Sequence, residues 1–310
     1  MTPNAISEIQ TEVHAATSQP TQKEEGRTAL WRAVRSVVGK QRQAPPLQPV
    51  PRSGPVPLSF AQERIMRLQQ LAPDSSTYNK FIVQRLKGPL NVAALEQSFN
   101  ELLRRHEVLR TAVTMVNGQA FQRIAPAQTL RLSVTDLQTI PEPESEARRL
   151  AHEETEQPFD LTQGPLLRTR LLRLGTEDYV LLLTTHQICF DDQSRGILIQ
   201  ELMALFEAFS TGKTSPLPEL SVQYADFAHW QRQWFKGEVL ETQLAYWKKQ
   251  LGTDVPRLRL SANRPRPGTS SSQAASQTLE IPTHFYESLR ALSQQEGVTW
   301  ADKKTLKGFE

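Results

Sequence analysis

The sequence predicts a mixed α/β domain, of the α/β or α+β class, with helices laid against a mixed sheet. Three observations carry that expectation. Helical stripes and apolar strand-like runs are intermixed along residues 59–251 without the regular βαβ alternation of a parallel sheet. Asn117-Gly118 stands between two strand-like runs, the strongest short-range hairpin signal a chain offers. A length of 310 residues with 38% hydrophobic composition suffices for one large or two modest domains, each with a real core.

The elements follow in order. Residues 1–26 are rich in Thr, Gln, Glu, Ser and Ala, lack periodicity and are expected to be disordered. Residues 28–38 place Leu30, Trp31, Val34, Val37 and Val38 on one helical face, ringed by Arg27, Arg32, Arg35, Lys40 and Arg42. Such a basic amphipathic helix docks on a partner or a membrane surface, or rests on its own domain as a linker; both readings stay open. Residues 44–57 carry Pro45, Pro46, Pro49, Pro51, Pro55 and Pro57, which predicts a stiff spacer ahead of the folded domain.

Ser59 with Gln62 has capping-box spacing, and Ala61, Ile65, Leu68 and Ala72 form the expected buried stripe of the first helix. A strand over 81–86 follows. Asn91 then caps a helix whose Leu95, Phe99, Leu102 and His106 share a face. Residues 110–116 and 119–124 flank the hairpin turn, and a charged helix over 144–157 stops at Pro158. Two strands, 166–174 and 179–185, precede a helix with Leu198, Leu202, Leu205 and Phe209 in register, ended by Gly212. Beyond Pro216 and Pro218, one helix carries Tyr224, Phe227, Trp230 and Trp234, and another Leu240, Leu244, Trp247 and Leu251. Residues 252–275 read as a linker, 277–281 as a strand, 283–296 as a helix, and 301–310 as a polar end without a stripe.

Composition removes several function classes. A formal charge of +3 is too small to imply nucleic-acid binding. A single cysteine excludes an intrachain disulfide and Cys-rich zinc modules. No apolar run approaches the ~20 residues that cross a bilayer, and the polar start is unlike a signal peptide. The expected setting is cytoplasmic.

Chemistry concentrates at residues 180–195. An apolar strand runs into Thr185-His186-Gln187-Ile188-Cys189-Phe190-Asp191-Asp192, and a helix begins. Strand ends that feed a loop before a helix are where α/β proteins place reactive groups. His186 can serve as a base oriented by Asp191 or Asp192, and Cys189 as a nucleophile. The structural alternatives are a hydrogen-bonded core His186, a buried apolar Cys189, and an aspartate that caps the next helix.

Several ordered segments carry a family resemblance. Leu58-Ser59-Phe60-Ala61-Gln62-Glu63-Arg64 resembles an S-x-A-Q-x-R motif, and Arg105-His106-Glu107-Val108-Leu109-Arg110-Thr111 fits R-H-E-x-L-R-T at every defined position. Pro158-Phe159-Asp160-Leu161 with Gly164-Pro165-Leu166, Tyr224-Ala225-Asp226-Phe227-Ala228-His229-Trp230-Gln231, Tyr246-Trp247 and Arg264-Pro265-Arg266-Pro267 follow in matching order. From about residue 57 to 299 the chain resembles the condensation domain of nonribosomal peptide synthetases, within the chloramphenicol-acetyltransferase-like superfamily of CoA-dependent acyltransferases.

The resemblance implies a fold of two similar lobes, with residues 57–215 as the first lobe, 216–310 as the aromatic helices and incomplete start of the second, and 1–56 as a leader. It implies amide formation between two thioesters borne on phosphopantetheine arms, with no bound cofactor or metal. The implied partners are carrier domains and neighbouring synthetase subunits, with no nucleic acid.

Two departures bear on activity. The family's third motif, H-H-x-x-x-D-G, reads here His186-Gln187-Ile188-Cys189-Phe190-Asp191-Asp192, so the second imidazole is a carboxamide and the glycine an aspartate. Gln187 cannot accept a proton as imidazole does, although it can hydrogen-bond a substrate amine. By resemblance the site comprises His186, Gln187 and Asp191, supported by Asp192 and by an arginine paired with Asp191, Arg110 first and Arg105 otherwise. The later motifs of the second lobe are also absent. The expectation is a truncated condensation domain with weak or no activity. The rival readings are a non-catalytic docking module of a synthetase and a stand-alone CoA-dependent acyltransferase.

Overall fold

The computed structural model describes residues 44–252 and 281–296, and among these it shows a mixed helix and sheet architecture. They fall into two compact units, the first ending at Lys249 and the second starting at Gln250. The leader helix, the linker over 253–275, most of the strand expected at 277–281 and the polar end lie outside the described residues.

In chain order the first unit contains β1 (Val56–Pro57), α1 (Phe60–Leu71), β2 (Asn79–Lys87), α2 (Val92–Arg105) and a 3-10 turn (Glu107–Arg110). The hairpin β3 (Thr111–Val116) and β4 (Gln119–Ile124), β5 (Ser133–Asp136) and α3 (Pro143–Glu156) come next. Strands β6 (Leu167–Gly175) and β7 (Asp178–His186) lead into α4 (Asp192–Ser210), α5 (Tyr224–Trp234) and α6 (Glu238–Leu251), whose last two residues fall in the second unit. Helix α7 (Thr283–Glu296) belongs to the second unit.

A four-stranded sheet of order β2-β7-β6-β5 forms the centre, antiparallel except for the parallel β5–β6 pair. Leu181 and Leu183 of β7 join one core with Ile82, Phe99, Leu102 and Leu205, which brings in α2 and α4. Val180 and Leu182, on the alternate face, pack with Ala147 and Leu150 of α3. This period of two explains the unbroken apolar run of β7, which is covered on both sides.

The second sheet, β1-β4-β3, stands on the tight hairpin. Asn117 and Gly118 both adopt positive φ, 50° and 77°, as a two-residue primed turn requires. A third cluster of Leu58, Met66, Val113, Phe159, Leu161, Leu166 and Ile188 ties α1 and this hairpin to the loop after β7.

Two expectations change. In α1 the buried positions are Gln62, Met66 and Gln69, while Ala61 and Ala72 are exposed. The two glutamines tolerate burial because Gln62 closes the capping box with Ser59 and Gln69 donates to the carbonyls of Pro73 and Ser75 at 2.8 and 3.1 Å. The proline-rich segment is not a free spacer. Val50 N–H donates to Asp226 at 2.8 Å, Trp230 Nε1 donates to the Pro45 carbonyl at 2.7 Å, and Val56–Pro57 becomes an edge strand, where proline is admissible. Helix α5 packs on β1 and the 3-10 turn.

No helix among the described residues is long and apolar enough to cross a membrane.

Candidate functional site

Strand β7 delivers His186 into the interior, opposite Asn79 of β2, and the Gln187 N–H still donates to the Tyr78 carbonyl at 2.8 Å. The imidazole is 1% exposed. Its Nδ1 accepts from the Ile188 N–H at 3.2 Å, and Tyr78 and Phe159 meet the ring edge-on at 6.2 and 6.0 Å between centroids. Burial lowers its pKa to about 4, so the ring is neutral near pH 7. With Nδ1 accepting, the proton resides on Nε2, which has no hydrogen-bond partner among the described residues. His186 thus meets the loop that follows it at the Ile188 N–H.

Gln187 is exposed, so the loop presents a carboxamide outward next to the sealed imidazole. Burial pushes the Cys189 pKa up to about 12, and its thiol donates to the His186 carbonyl at 3.1 Å.

Asp191 caps α4. Its Oδ1 accepts from the Ser194 N–H at 2.8 Å and from Ser194 Oγ at 2.6 Å, while Ser194 Oγ accepts from the Asp191 N–H at 3.2 Å. The Ser194 hydroxyl and N–H hold its pKa below the ordinary carboxylate value. Asp192 opens the helix with its side chain 95% exposed, 3.4 Å from Lys80 Nζ.

The expected pairing of Asp191 with Arg110 or Arg105 is not formed. Arg110 donates to the carbonyls of Leu103, at 3.1 Å, and Ala125. Arg105, 5% exposed, reaches Glu201 on α4, with Nε 3.2 and 3.1 Å from the two carboxylate oxygens, and donates to the Pro218 carbonyl. The physical reason is competition: the start of α4 consumes the Asp191 carboxylate as its cap, so the arginines find other acceptors.

Glu201 was not among the expected residues. It also binds His106 Nε2 at 2.6 Å, so the Arg105-His106 pair of the second motif grips α4 from the end of α2. The signal lay in the sequence as a lone carboxylate on a helix face between Leu198 and Leu205. An apolar cavity lies behind the loop, between Cys189 and Phe190, the first turns of α4, and Leu102 and Val108.

The other motifs interlock beside it. Tyr224 Oη lies 2.9 Å from Ser59 Oγ, and Arg232 Nε donates to the Leu58 carbonyl at 2.7 Å. The Gln223 side chain accepts from the Glu107 N–H at 3.1 Å and donates to the Arg105 carbonyl at 2.9 Å. Arg52 spans Glu107 at 2.8 Å and Asp226 at 2.6 Å. Among the described residues no cluster of three or more His, Cys, Asp or Glu is placed to hold a metal ion.

Comparison with known proteins then gives three findings. Residues 52–302 match the condensation-domain family model. The chain is 47% identical over 256 residues to part of a linear gramicidin synthase from Brevibacillus parabrevis, and 40% identical over 253 residues to malpinin synthetase of Mortierella alpina. Each alignment covers 82% of this chain and 3% of the relative's length. Among solved structures, the X-domain in complex with OxyB from teicoplanin biosynthesis superposes with a TM-score of 0.69 at 28% identity, covering 83% of this chain and 56% of that one. The first condensation domain of the calcium-dependent antibiotic synthetase, bound to a substrate analogue, shares the fold with a TM-score of 0.64 at 22% identity, covering 80% and 58%.

Proposed function

Given that the chain belongs to the condensation-domain family of nonribosomal peptide synthetases, we propose that residues 186–192 form its wall of a site that receives carrier-borne thioesters. We propose further that this chain catalyses amide formation weakly or not at all. In the proposed reaction the acceptor amine attacks the donor thioester carbonyl, forming the amide and releasing the donor arm as a thiol. The attacking amine must lose a proton. General-base assistance is worth typically 10²–10⁴-fold, and a carboxamide does not supply it.

One observation supports this reading above the rest: the exposed side chain of the loop is Gln187, while the adjacent imidazole of His186 is 1% exposed. Gln187 can still orient an amine as a hydrogen-bond acceptor. The phosphopantetheine arms, and the carrier and synthetase partners that bring them, are part of this proposal. A single-turnover assay with loaded donor and acceptor carriers tests it. Product at the uncatalysed background is expected, and formation well above background refutes the proposed impairment. Gln187→His tests how much of the proposed impairment the carboxamide accounts for. Strong rescue would place the whole defect on that side chain.

A second reading is a non-catalytic docking module. The likeness to an X-domain solved in complex with another protein, together with Gln187, favours it. Pull-down of synthetase subunits by the full chain, compared with a chain lacking residues 1–43, tests the leader as the docking element. Unchanged capture removes the leader from this reading.

A further inference from the structure

Helix α6 departs from α1 to α5 in having no buried residue. Its inner line, Val239, Gln243 and Tyr246, is half-buried. Its outer line is apolar and open: Leu240 is 38% exposed, Leu244 47%, Trp247 56% and Leu251 56%. The spacing of that line alternates four and three residues, the seam of a coiled coil, with Leu240 and Trp247 at d and Leu244 and Leu251 at a. Four large apolar side chains along a helix about 21 Å long form a contiguous patch of the kind that marks an association surface.

The flanks of the seam specify the occupant. In this register Glu241 and Lys248 take the e positions, and Gln243 and Gln250 take the g positions. A parallel partner sets e against g, so both charges would face only amides. An antiparallel copy of the same helix sets e against e. Glu241 of each copy then faces Lys248 of the other, twice by symmetry, and the helix dipoles also oppose favourably. Leu244 meets Trp247 across the axis, and Leu240 meets Leu251.

We propose that the outer face of α6 is a self-association surface on which a second copy of this chain lays its own α6 antiparallel. A contact of this size falls below the ~1,200 Å² of standard interfaces, so the dimer is weak and reversible. It does not depend on the reaction proposed above.

Sedimentation of the full chain from about 10 μM to about 1 mM tests it. A monomer–dimer equilibrium is expected, weakened at least about threefold by E241K or by K248E, since each sets like charges opposite one another. The double variant E241K/K248E is expected to return to within about twofold of the parent, because the exchange re-forms both pairs. W247K is expected to leave a monomer. All these positions are exposed, and circular dichroism checks that the variants stay folded. A monomer throughout the range, a dimer indifferent to W247K, or a double variant no better than the single ones would each overturn the proposal.

Discussion

Arg52 Nη1 lies 2.6 Å from Oδ1 of Asp226, a carboxylate 1% exposed and 174 residues away along the chain. The same carboxylate accepts from the backbone N–H groups of Val50 and Gln223 at 2.8 and 2.6 Å. This is the clasp that holds the proline-rich segment on α5.

Removing one partner of a buried pair leaves the other uncompensated, at about 3 kcal/mol. Arg52→Ala is therefore expected to lower the unfolding free energy by that order, measured by urea denaturation. Burial alone would raise the Asp226 pKa, but Arg52 and the two N–H donors outweigh it and hold it below 3.8. A depressed carboxylate stabilises fully above its unfolded value and loses that contribution as pH falls through the folded one. Asp226→Asn is expected to be less stable near neutrality and to lose less stability than the parent below pH 3.8.

His186 loses its contribution in the same direction but at higher pH. Its pKa falls from 6.5 unfolded to about 4 folded, so between those values the unfolded chain binds the extra proton. Its neutral burial contributes fully above pH 6.5 and is lost as pH drops toward 4, by up to about 3 kcal/mol in total. His186→Asn is expected to flatten the stability profile across that window, with a lower plateau. A parental profile with no slope there contradicts the buried, neutral imidazole.

Arg105 and Glu201 are expected to be coupled. Glu201→Gln and Arg105→Ala should each cost about 2–4 kcal/mol, and the double variant less than their sum by about 1 kcal/mol or more. A double-mutant cycle by equilibrium unfolding measures this. Strict additivity removes the grip of α2 on α4.

The single thiol supplies a simple probe. Cys189 is expected to react with a maleimide at least about 100-fold more slowly in the native chain than in denaturant. Cys189→Ser is expected to leave any carrier-dependent activity unchanged. Fast native labelling would show an open loop.

Elements built from a few adjacent residues were legible. Ser59 with Gln62 capped α1, Asn117-Gly118 made the hairpin, and the apolar run before His186 became the central strand. Strands β1 and β5 were not, since Val56–Pro57 and Ser133–Asp136 are too short and too polar or proline-bound to show a period. The stripe of α1 was misjudged because hydropathy scores a glutamine as exposed, whatever acceptors wait for it in the fold.

The altered third motif, with Gln187 where the family has imidazole, was determined by sequence alone, because it is a matter of which functional groups exist. So were the apolar run of β7 and, because they rest on local sterics and hydrogen bonds, the helix caps and the turn. The tertiary structure decided that His186 faces inward and Gln187 outward. It also decided that Asp191 serves its own helix, and that Arg105 and Arg52 find Glu201 and Asp226. Those outcomes depend on which buried donors and acceptors meet across 96 and 174 residues of chain, a competition that no local pattern encodes.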